Sequence, residues 1–395
     1  MPTTHLPTVV IGGGQSGLAM GYHLRRTAEP FVILDAEERT GDTWRRRWDS
    51  LRLFSLPRYA SLPGLPITTP SYPTKDQVAD YLERYAEHFQ LPIRRNTRVR
   101  RLSRDADRFV IETPRETFTA DRVVVATGSL VRSERPAFSR LLDPEIAQLD
   151  ASGYRSPAGL EGEVLVVGAG TAGSDVAIDV ARAGLPTVLA GPHPGQLPLA
   201  LDSLLVRAVM PLVMFGFLHV LTLGNPAGRH LHRRLLRRGT PLIRYRRRDL
   251  VAAGVRRTGL ITDVVDGLPR AEDGTVFRPR TVIWCTGFRP EHSWIDLPIF
   301  DPYGQVQQVR GITAVPGLYF LGLSFQYSVS SAALHGLDRD ARHLLRDIRR
   351  ERSGRTVGLG PARSPARTRP DQLRKGEQLR KVDQLRKAAG RASAP

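Results

Sequence analysis

Cysteine is nearly absent from this chain: Cys285 is the single cysteine in 395 residues. That excludes an internal disulfide framework, a zinc site built on cysteines and the paired-thiol chemistry of disulfide reductases, and no metal site is expected. Lysine is almost as scarce, with Lys75, Lys375, Lys381 and Lys387 the four lysines among 58 basic residues, so arginine carries the positive charge. The N-terminus shows no basic region followed by an apolar core and a small-residue cleavage site; no secretory signal is expected, and the chain is expected to be cytoplasmic. Long apolar runs are missing too. Residues 208–223 carry no formal charge, but they number 16 and include Pro211, Gly216 and His219, short of the roughly 18 to 20 apolar residues that cross a bilayer. A buried helix or a substrate-cavity wall is expected there, with shallow contact at a membrane surface as the alternative.

What the chain does contain is ample core-forming material, 41% hydrophobic residues, and a length that allows two or three domains at roughly 150 residues each. The formal net charge is +19, and it is unevenly spread. From Arg349 onward there are 14 Lys/Arg against 4 Asp/Glu. Gln-Leu-Arg-Lys recurs there at 372, 378 and 384, a period that fits neither a heptad nor a solenoid, so residues 351–395 read as a basic disordered tail. A second arginine cluster lies between Arg229 and Arg248. No nucleic-acid recognition module accompanies the charge, and no specific nucleic-acid partner is expected.

Two glycine-rich turns organise the rest. Thr8-Val9-Val10-Ile11 is a β-branched run that meets Gly12-Gly13-Gly14-Gln15-Ser16-Gly17 and then a helix-like stretch; Phe31-Val32-Ile33-Leu34 follows and ends at Asp35. In such a βαβ unit Gly12 makes the tight turn, Gly14 lets a pyrophosphate approach the backbone and Gly17 permits close helix packing. The amide hydrogens of Gln15, Ser16 and their neighbours at the helix start would face the anion, and Asp35 would accept from ribose hydroxyls. The pattern returns at Val164-Leu165-Val166-Val167, Gly168-Ala169-Gly170-Thr171-Ala172-Gly173 and the strand Thr187-Val188-Leu189. Between the turns, Thr74 and Gln77 form a capping box for a helix with one apolar face, and short runs at Val99, 109–111 and Phe118 suggest a meander leading into Val123-Val124-Val125. The later runs 281–287 and 318–322, the latter ending at Gly322, are expected to return to the first sheet. The fold class is α/β, with two dinucleotide-binding, Rossmann-like domains.

At this point the sequence resembles the class B flavoprotein monooxygenases, a superfamily of flavin-containing monooxygenases, N-hydroxylases and Baeyer-Villiger enzymes, and in particular their bacterial branch. The resemblance rests on Gly12 to Gly17, Asp35, Gly41-Asp42-Thr43-Trp44, Arg47 to Leu53, Tyr72-Pro73-Thr74, Ala126-Thr127-Gly128, Gly168 to Gly173, and Trp284-Cys285-Thr286-Gly287-Phe288, spanning about residues 8–348. It implies FAD on the first fold and NADP, with NAD possible, on the second. The implied NAD(P)-binding domain, 151–280 with an apolar insertion at 200–225, is inserted into an FAD-binding domain made of 1–150 and 281–350. Trp44 would lie beside the flavin or serve as core packing alone, and Thr127 and Gly128 would lie at the crossing between domains. Cys285 reads as a small packing residue.

The implied activity is an NAD(P)H-driven monooxygenation through a flavin C4a-hydroperoxide, inserting one oxygen atom from O2 into a small apolar substrate by N- or S-oxidation or a Baeyer-Villiger reaction. No side chain is assigned as a catalytic acid or base. Three departures bear on this, the first being Thr171-Ala172 where Asn-Ser is common between the glycines of the second turn. The family's identifying motif would lie across Pro144, Ile146, Asp150 and Tyr154, where only the last aromatic agrees and Asp150 stands for a histidine; a carboxylate there predicts leaky oxygenation. Pro192 stands where an arginine would meet the NADPH 2′-phosphate, which predicts relaxed cofactor choice unless arginines of the 229–248 cluster supply the charge. An uncoupled NAD(P)H oxidase or flavin reductase, or a non-catalytic flavin-binding redox sensor, are the alternative readings.

Overall fold

The computed structural model describes residues 3–128, 132–196, 204–238 and 241–352. Most of the expected tail, from 353 onward, lies outside the described residues. Strand β1 (Thr3–Ile11) is followed by helix α1 (Gln15–Leu24), strand β2 (Phe31–Leu34) and the single turn of helix α2 (Asp42–Arg45). Helix α3 (Lys75–His88) starts at the expected capping box: Gln77 N donates to Thr74 Oγ1 at 3.2 Å and Thr74 N to Gln77 Oε1 at 3.0 Å. Its apolar face, Val78, Tyr81, Leu82 and Tyr85, is fully buried. Both phenols still find partners, Tyr81 at the Leu65 carbonyl (2.8 Å) and Tyr85 at the Pro63 carbonyl (2.6 Å), so burial leaves neither hydroxyl unsatisfied.

Strands β3 (Ile93–Arg94), β4 (Arg101–Asp105), β5 (Arg108–Glu112) and β6 (Thr117–Val125) complete the first half. β4, β5 and β6 form the expected antiparallel meander, and β6 then runs parallel to β1 through the register Val9↔Val123 to Ile11↔Val125. The β-branched pairs Val9/Val123 and Val10/Val124 are wholly buried, as expected for a parallel sheet covered on both faces.

The chain continues through β7 (Arg132–Ser133), β8 (Ala147–Asp150), β9 (Val164–Val167), α4 (Thr171–Arg182) and β10 (Thr187–Ala190). Then come α5 (Leu204–Phe215), one π-helical turn at Gly216–Val220, α6 (Pro226–Arg238), α7 (Arg247–Ala252) and β11 (Arg256–Thr258). A hairpin of β12 (Ile261–Val265) and β13 (Leu268–Ala271) precedes β14 (Thr281–Trp284). The second sheet is wholly parallel in the order β11-β10-β9-β14-β8. The two dinucleotide folds are therefore both built.

One strand sits differently from the sequence expectation. Residues 281–284 pair with β9 on one side and β8 on the other, inside the second sheet and not the first; β8, which precedes residue 151, lies in that sheet too. All four β14 side chains are buried there, and Trp284 Nε1 donates to Gln148 Oε1 across the strand pair at 3.0 Å. The return to the first sheet comes later. After β15 (Phe288–Arg289), which pairs with β7, strands β16 (Gln308–Val309), β17 (Ile312–Thr313) and β18 (Leu318–Phe320) carry the chain back, and β18 lies parallel to β6. Helix α8 (Leu334–Arg352) then packs Leu337, Ala341, Leu344 and Ile348 into the core that α1 shares, with His23 Nε2 2.9 Å from Asp338 Oδ1.

The apolar insertion also departs from expectation. Met210 and Met214, one turn apart on α5, are buried against Tyr59 and Phe217, but Leu212 is 73% and Phe215 56% exposed, with Val209, Val213 and Val220 exposed as well. A run of apolar residues reports hydrophobicity without saying which side of the helix meets the core. Among the described residues, no helix is long and apolar enough to cross a membrane.

Candidate functional site

The two glycine turns are near-copies in geometry. Gly12 and Gly168 both have φ of +110°, a left-handed value that L side chains rarely adopt. A Cβ at Gly12 would come 2.7 Å from the Ala126 carbonyl oxygen, and one at Gly168 2.3 Å from that of Cys285. A Cβ at Gly17 would lie 1.9 Å from the Gly12 carbonyl oxygen, and at Gly173 1.8 Å from that of Gly168, so these glycines are what lets each helix sit against its turn. Gly14 and Gly170 are different: a Cβ on either meets nothing within 4 Å. At each turn the glycine that sequence reasoning reserved for an approaching pyrophosphate thus faces open space, at the start of a helix with unpaired amide hydrogens.

Two buried hydroxyls flank these spaces without a hydrogen-bond partner among the described residues, Thr127 Oγ1 at the end of β6 and Thr171 Oγ1 at the start of α4. A buried hydroxyl left unpaired costs about 1–3 kcal/mol, so each marks a place where a ligand would be favoured. Asp35 follows β2 and is 6% exposed. Burial pushes its carboxyl above the usual carboxylate range, opposed by hydrogen bonds from the Glu37 and Gly13 amides, and a Cβ on Gly13 would press to 2.4 Å from Asp35 Oδ2. The late segment closes on the same turn. Gln15 Nε2 donates to the Ala332 carbonyl at 2.9 Å, and Gly322 leaves room for Ser16, whose Oγ a Cβ there would meet at 2.1 Å. Trp44, on α2, packs half-buried on the core beneath α1. Gly128 has φ of +77° with open space around it.

Asp150 is not a free carboxylate. Arg135 grips it with two hydrogen bonds, Nε to Oδ1 at 2.7 Å and Nη2 to Oδ2 at 2.9 Å, a partner that the sequence did not indicate. Tyr154, the one motif residue that agrees, is buried and donates to Asp179 Oδ2 at 2.9 Å. Burial, with Asp150 and Asp175 nearby, pushes the Cys285 thiol up to about 12, which keeps it protonated at neutral pH and fits a packing residue.

At the end of β10, the position of Pro192 has positive charge after all. Arg257, on the neighbouring strand β11, donates Nη2 to the Gly191 carbonyl at 2.7 Å, while its buried Nε has no partner among the described residues. Burial and the nearby Arg247 lower its pKa, and burial, with both arginines adding, holds His193 below its ordinary value. Neither arginine pairs with a carboxylate among the described residues. Arg247 belongs to the cluster singled out in the sequence; Arg257 was missed, because only the strand order places β11 beside β10. Arg47, the first residue of a stretch that carries the resemblance, lies 5.3 Å over the Phe288 ring, and burial, with Arg155 and Arg46, lowers its pKa. Its neighbour Trp48 is buried in the core of the second sheet, so the stretch after α2 ties the first fold to the second.

Comparison with known proteins agrees with this arrangement. The family model described as pyridine nucleotide-disulphide oxidoreductase matches residues 9–196, although with one cysteine this chain has no internal dithiol. An oxidoreductase described as CzcO-like, from Geobacillus kaustophilus, is 36% identical over 350 residues, 86% of this chain and 97% of that protein. A flavin-containing monooxygenase structure from Stenotrophomonas maltophilia is 30% identical, covers 88% of this chain and 99% of its own, and superposes with a TM-score of 0.71. This chain belongs to the class B flavoprotein monooxygenase superfamily. It is a flavin-dependent oxidoreductase of the two-Rossmann fold. The indole-3-pyruvate monooxygenase YUCCA1 of Oryza sativa is a more distant relative, 27% identical over 86% of this chain.

Proposed function

We propose that the chain is an FAD-dependent, NAD(P)H-driven monooxygenase acting on a small apolar molecule with an oxidisable nitrogen or sulfur, or on a ketone. The observation that carries this reading is the pair of open cradles, each with an unsatisfied threonine hydroxyl, in one chain of this superfamily. FAD is assigned to the first turn, held by Gly12, Gly14, Gln15, Ser16, Gly17, Asp35, Thr127 and Gly128, with Gly322 closing over Ser16. The nicotinamide dinucleotide is assigned to the second, at Gly168, Gly170, Thr171 and Gly173. When bound, the flavin would accept a hydride from the nicotinamide and activate O2.

The chain's own contribution is binding and placement. Helices α1 and α4 direct amide hydrogens at two pyrophosphates. Asp35, with its carboxyl buried and held by two amides, is positioned to accept from ribose hydroxyls. Arg257 and Arg247 present positive charge where a 2′-phosphate would follow β10, in place of the arginine that Pro192 removes. That arrangement supports NADPH as the preferred donor, against the relaxed choice that Pro192 alone predicts. Domain limits are proposed to follow the sheets, with the second fold spanning β8 to β14.

The uncoupled-oxidase reading rests on Asp150 replacing the motif histidine. An Asp150–Arg135 pair supplies no neutral imidazole, so it favours peroxide release over oxygen transfer. Oxygen and NADPH consumption measured with and without a panel of amines, sulfides and ketones, with peroxide quantified, tests both readings. Substrate-dependent product with little peroxide supports the monooxygenase; peroxide equal to NADPH consumed for every compound supports the oxidase.

A further inference from the structure

Residues 203–248 contain ten arginines and no aspartate, glutamate or lysine. Within that segment α5 buries only Met210 and Met214 among its described side chains and turns Val209, Leu212, Val213 and Phe215 outward, Leu212 at 73% and Phe215 at 56% exposure. Val220, in the π-helical turn, extends the exposed apolar surface. Next in the chain is α6, whose Arg229, Arg233 and Arg234 are exposed. Arg229 donates to the Leu223 carbonyl and Arg233 to the Arg229 carbonyl, so their contacts are with main chain, and their charge is not cancelled by a carboxylate of the segment.

We infer that this segment, α5 and α6 with the turn between them, docks on the surface of an anionic lipid bilayer. Arg244 and Arg248 pair with Asp175 and Asp249 outside the segment, but exposed leucine and phenylalanine followed in the chain by Arg229, Arg233 and Arg234, which have no carboxylate partner among the described residues, is the composition of an interfacial helix, whose apolar residues enter the headgroup boundary while the cations meet lipid phosphates. The same composition disfavours the other occupants. A second copy of this chain would bring two arginine blocks together, and a nucleic acid would answer the arginines while leaving Leu212 and Phe215 in water. The turn between the two helices is also fastened to the body. Leu223 N donates to the Tyr327 carbonyl at 2.8 Å and Ser330 Oγ to the Phe217 carbonyl at 3.3 Å. The loop that receives them reaches the first glycine turn through the bond from Gln15 to Ala332 at 2.9 Å. Docking would therefore hold that turn close to the bilayer, whichever cofactor it binds.

The test uses full-length, cofactor-loaded protein and co-sedimentation with vesicles of phosphatidylcholine, alone or with about 30% phosphatidylglycerol, in about 0.15 M salt. Wild-type protein is expected to bind the anionic vesicles and bind the neutral ones weakly. Leu212→Ser with Phe215→Ser leaves every charge in place, including those of the basic tail, and should lower partitioning at least tenfold, about 1.4 kcal/mol, with flavin content unchanged. A Leu212→Trp variant provides an independent readout, since its added emission should shift to shorter wavelength with anionic vesicles. The proposal is overturned if wild-type protein ignores anionic vesicles, if the double serine variant binds as wild type does, or if the tryptophan emission does not move. A wild-type dimer that the serine substitutions dissociate would likewise overturn it, by showing a self-interface.

Discussion

Replacing Gly14 with alanine should separate cofactor binding from folding. The backbone at Gly14 has φ of −76° and ψ of −169°, extended values that alanine adopts freely, and the new methyl meets no protein atom within 4 Å. Alanine is the poorer N-cap by a few tenths of a kcal/mol or more, but it also restricts the unfolded chain by about 0.4–1 kcal/mol. The two nearly offset, so apoprotein stability should change by less than about 1 kcal/mol. The methyl does fill the space assigned to the pyrophosphate. Displacing the anion from one amide removes a charge-assisted hydrogen bond of about 1.5–3 kcal/mol, a loss of roughly 10- to 150-fold in FAD affinity. Gly17→Ala is the contrasting control. Its methyl would lie 1.9 Å from the Gly12 carbonyl oxygen, which forces the backbone apart and should cost about 1–3 kcal/mol or more in stability. Urea unfolding of apoproteins and equilibrium dialysis against FAD measure the two quantities. Wild-type FAD affinity in Gly14→Ala, or equal destabilisation by both substitutions, would refute the reasoning.

At the second turn, Arg257→Ser should weaken equilibrium binding of NADPH about tenfold, about 1.4 kcal/mol, while NADH affinity stays within twofold; equal losses for both would show that Arg257 does not meet a 2′-phosphate. Asp175, 3% exposed in α4, has its carboxyl pushed up to about 7 by burial, with Arg244 opposing and Asp179 adding to the shift. Because the folded state then holds the proton more tightly than the unfolded state, this group favours folding at low pH and loses that contribution as pH rises from about 4 to 7. Asp175→Asn should gain stability over wild type by up to about 4 kcal/mol above pH 8, with the difference shrinking toward zero below pH 4; thermal melts across pH in which the gap does not change would contradict it. A double-mutant cycle of Asp150→Asn and Arg135→Gln should give a coupling of about 1 kcal/mol, modest because the pair is partly solvated, and a coupling near zero would mean that the bidentate contact does not persist in solution.

Legibility in the sequence followed how local each constraint is. The Thr74/Gln77 cap is fixed by contacts within a few residues, and the glycine turns and Asp35, although they pack against distant segments, follow the spacing of one βαβ unit; all were readable. Thr281–Trp284 was readable as a buried strand but not as a member of the second sheet, since four consecutive buried residues carry no label for their neighbours. Arg257 beside Gly191 depends on strand order 66 residues apart, and the Arg135 grip on Asp150 depends on the loop between β7 and β8. The exposure of Leu212 and Phe215 was hidden for a related reason: hydrophobicity predicted burial, and only packing shows that the two methionines occupy the core side.

The central claim is that one chain holds a flavin on the first turn and is reduced by a nicotinamide on the second. Full-length protein should be purified, its visible spectrum recorded, the released chromophore identified, and the holoprotein titrated with NADPH without oxygen. The account predicts a yellow protein carrying FAD, bleached by NADPH, with both properties lost in the respective variants Gly14→Val and Gly170→Val. A colourless protein that takes up no FAD, or a bound flavin that NADPH cannot reduce, would contradict it.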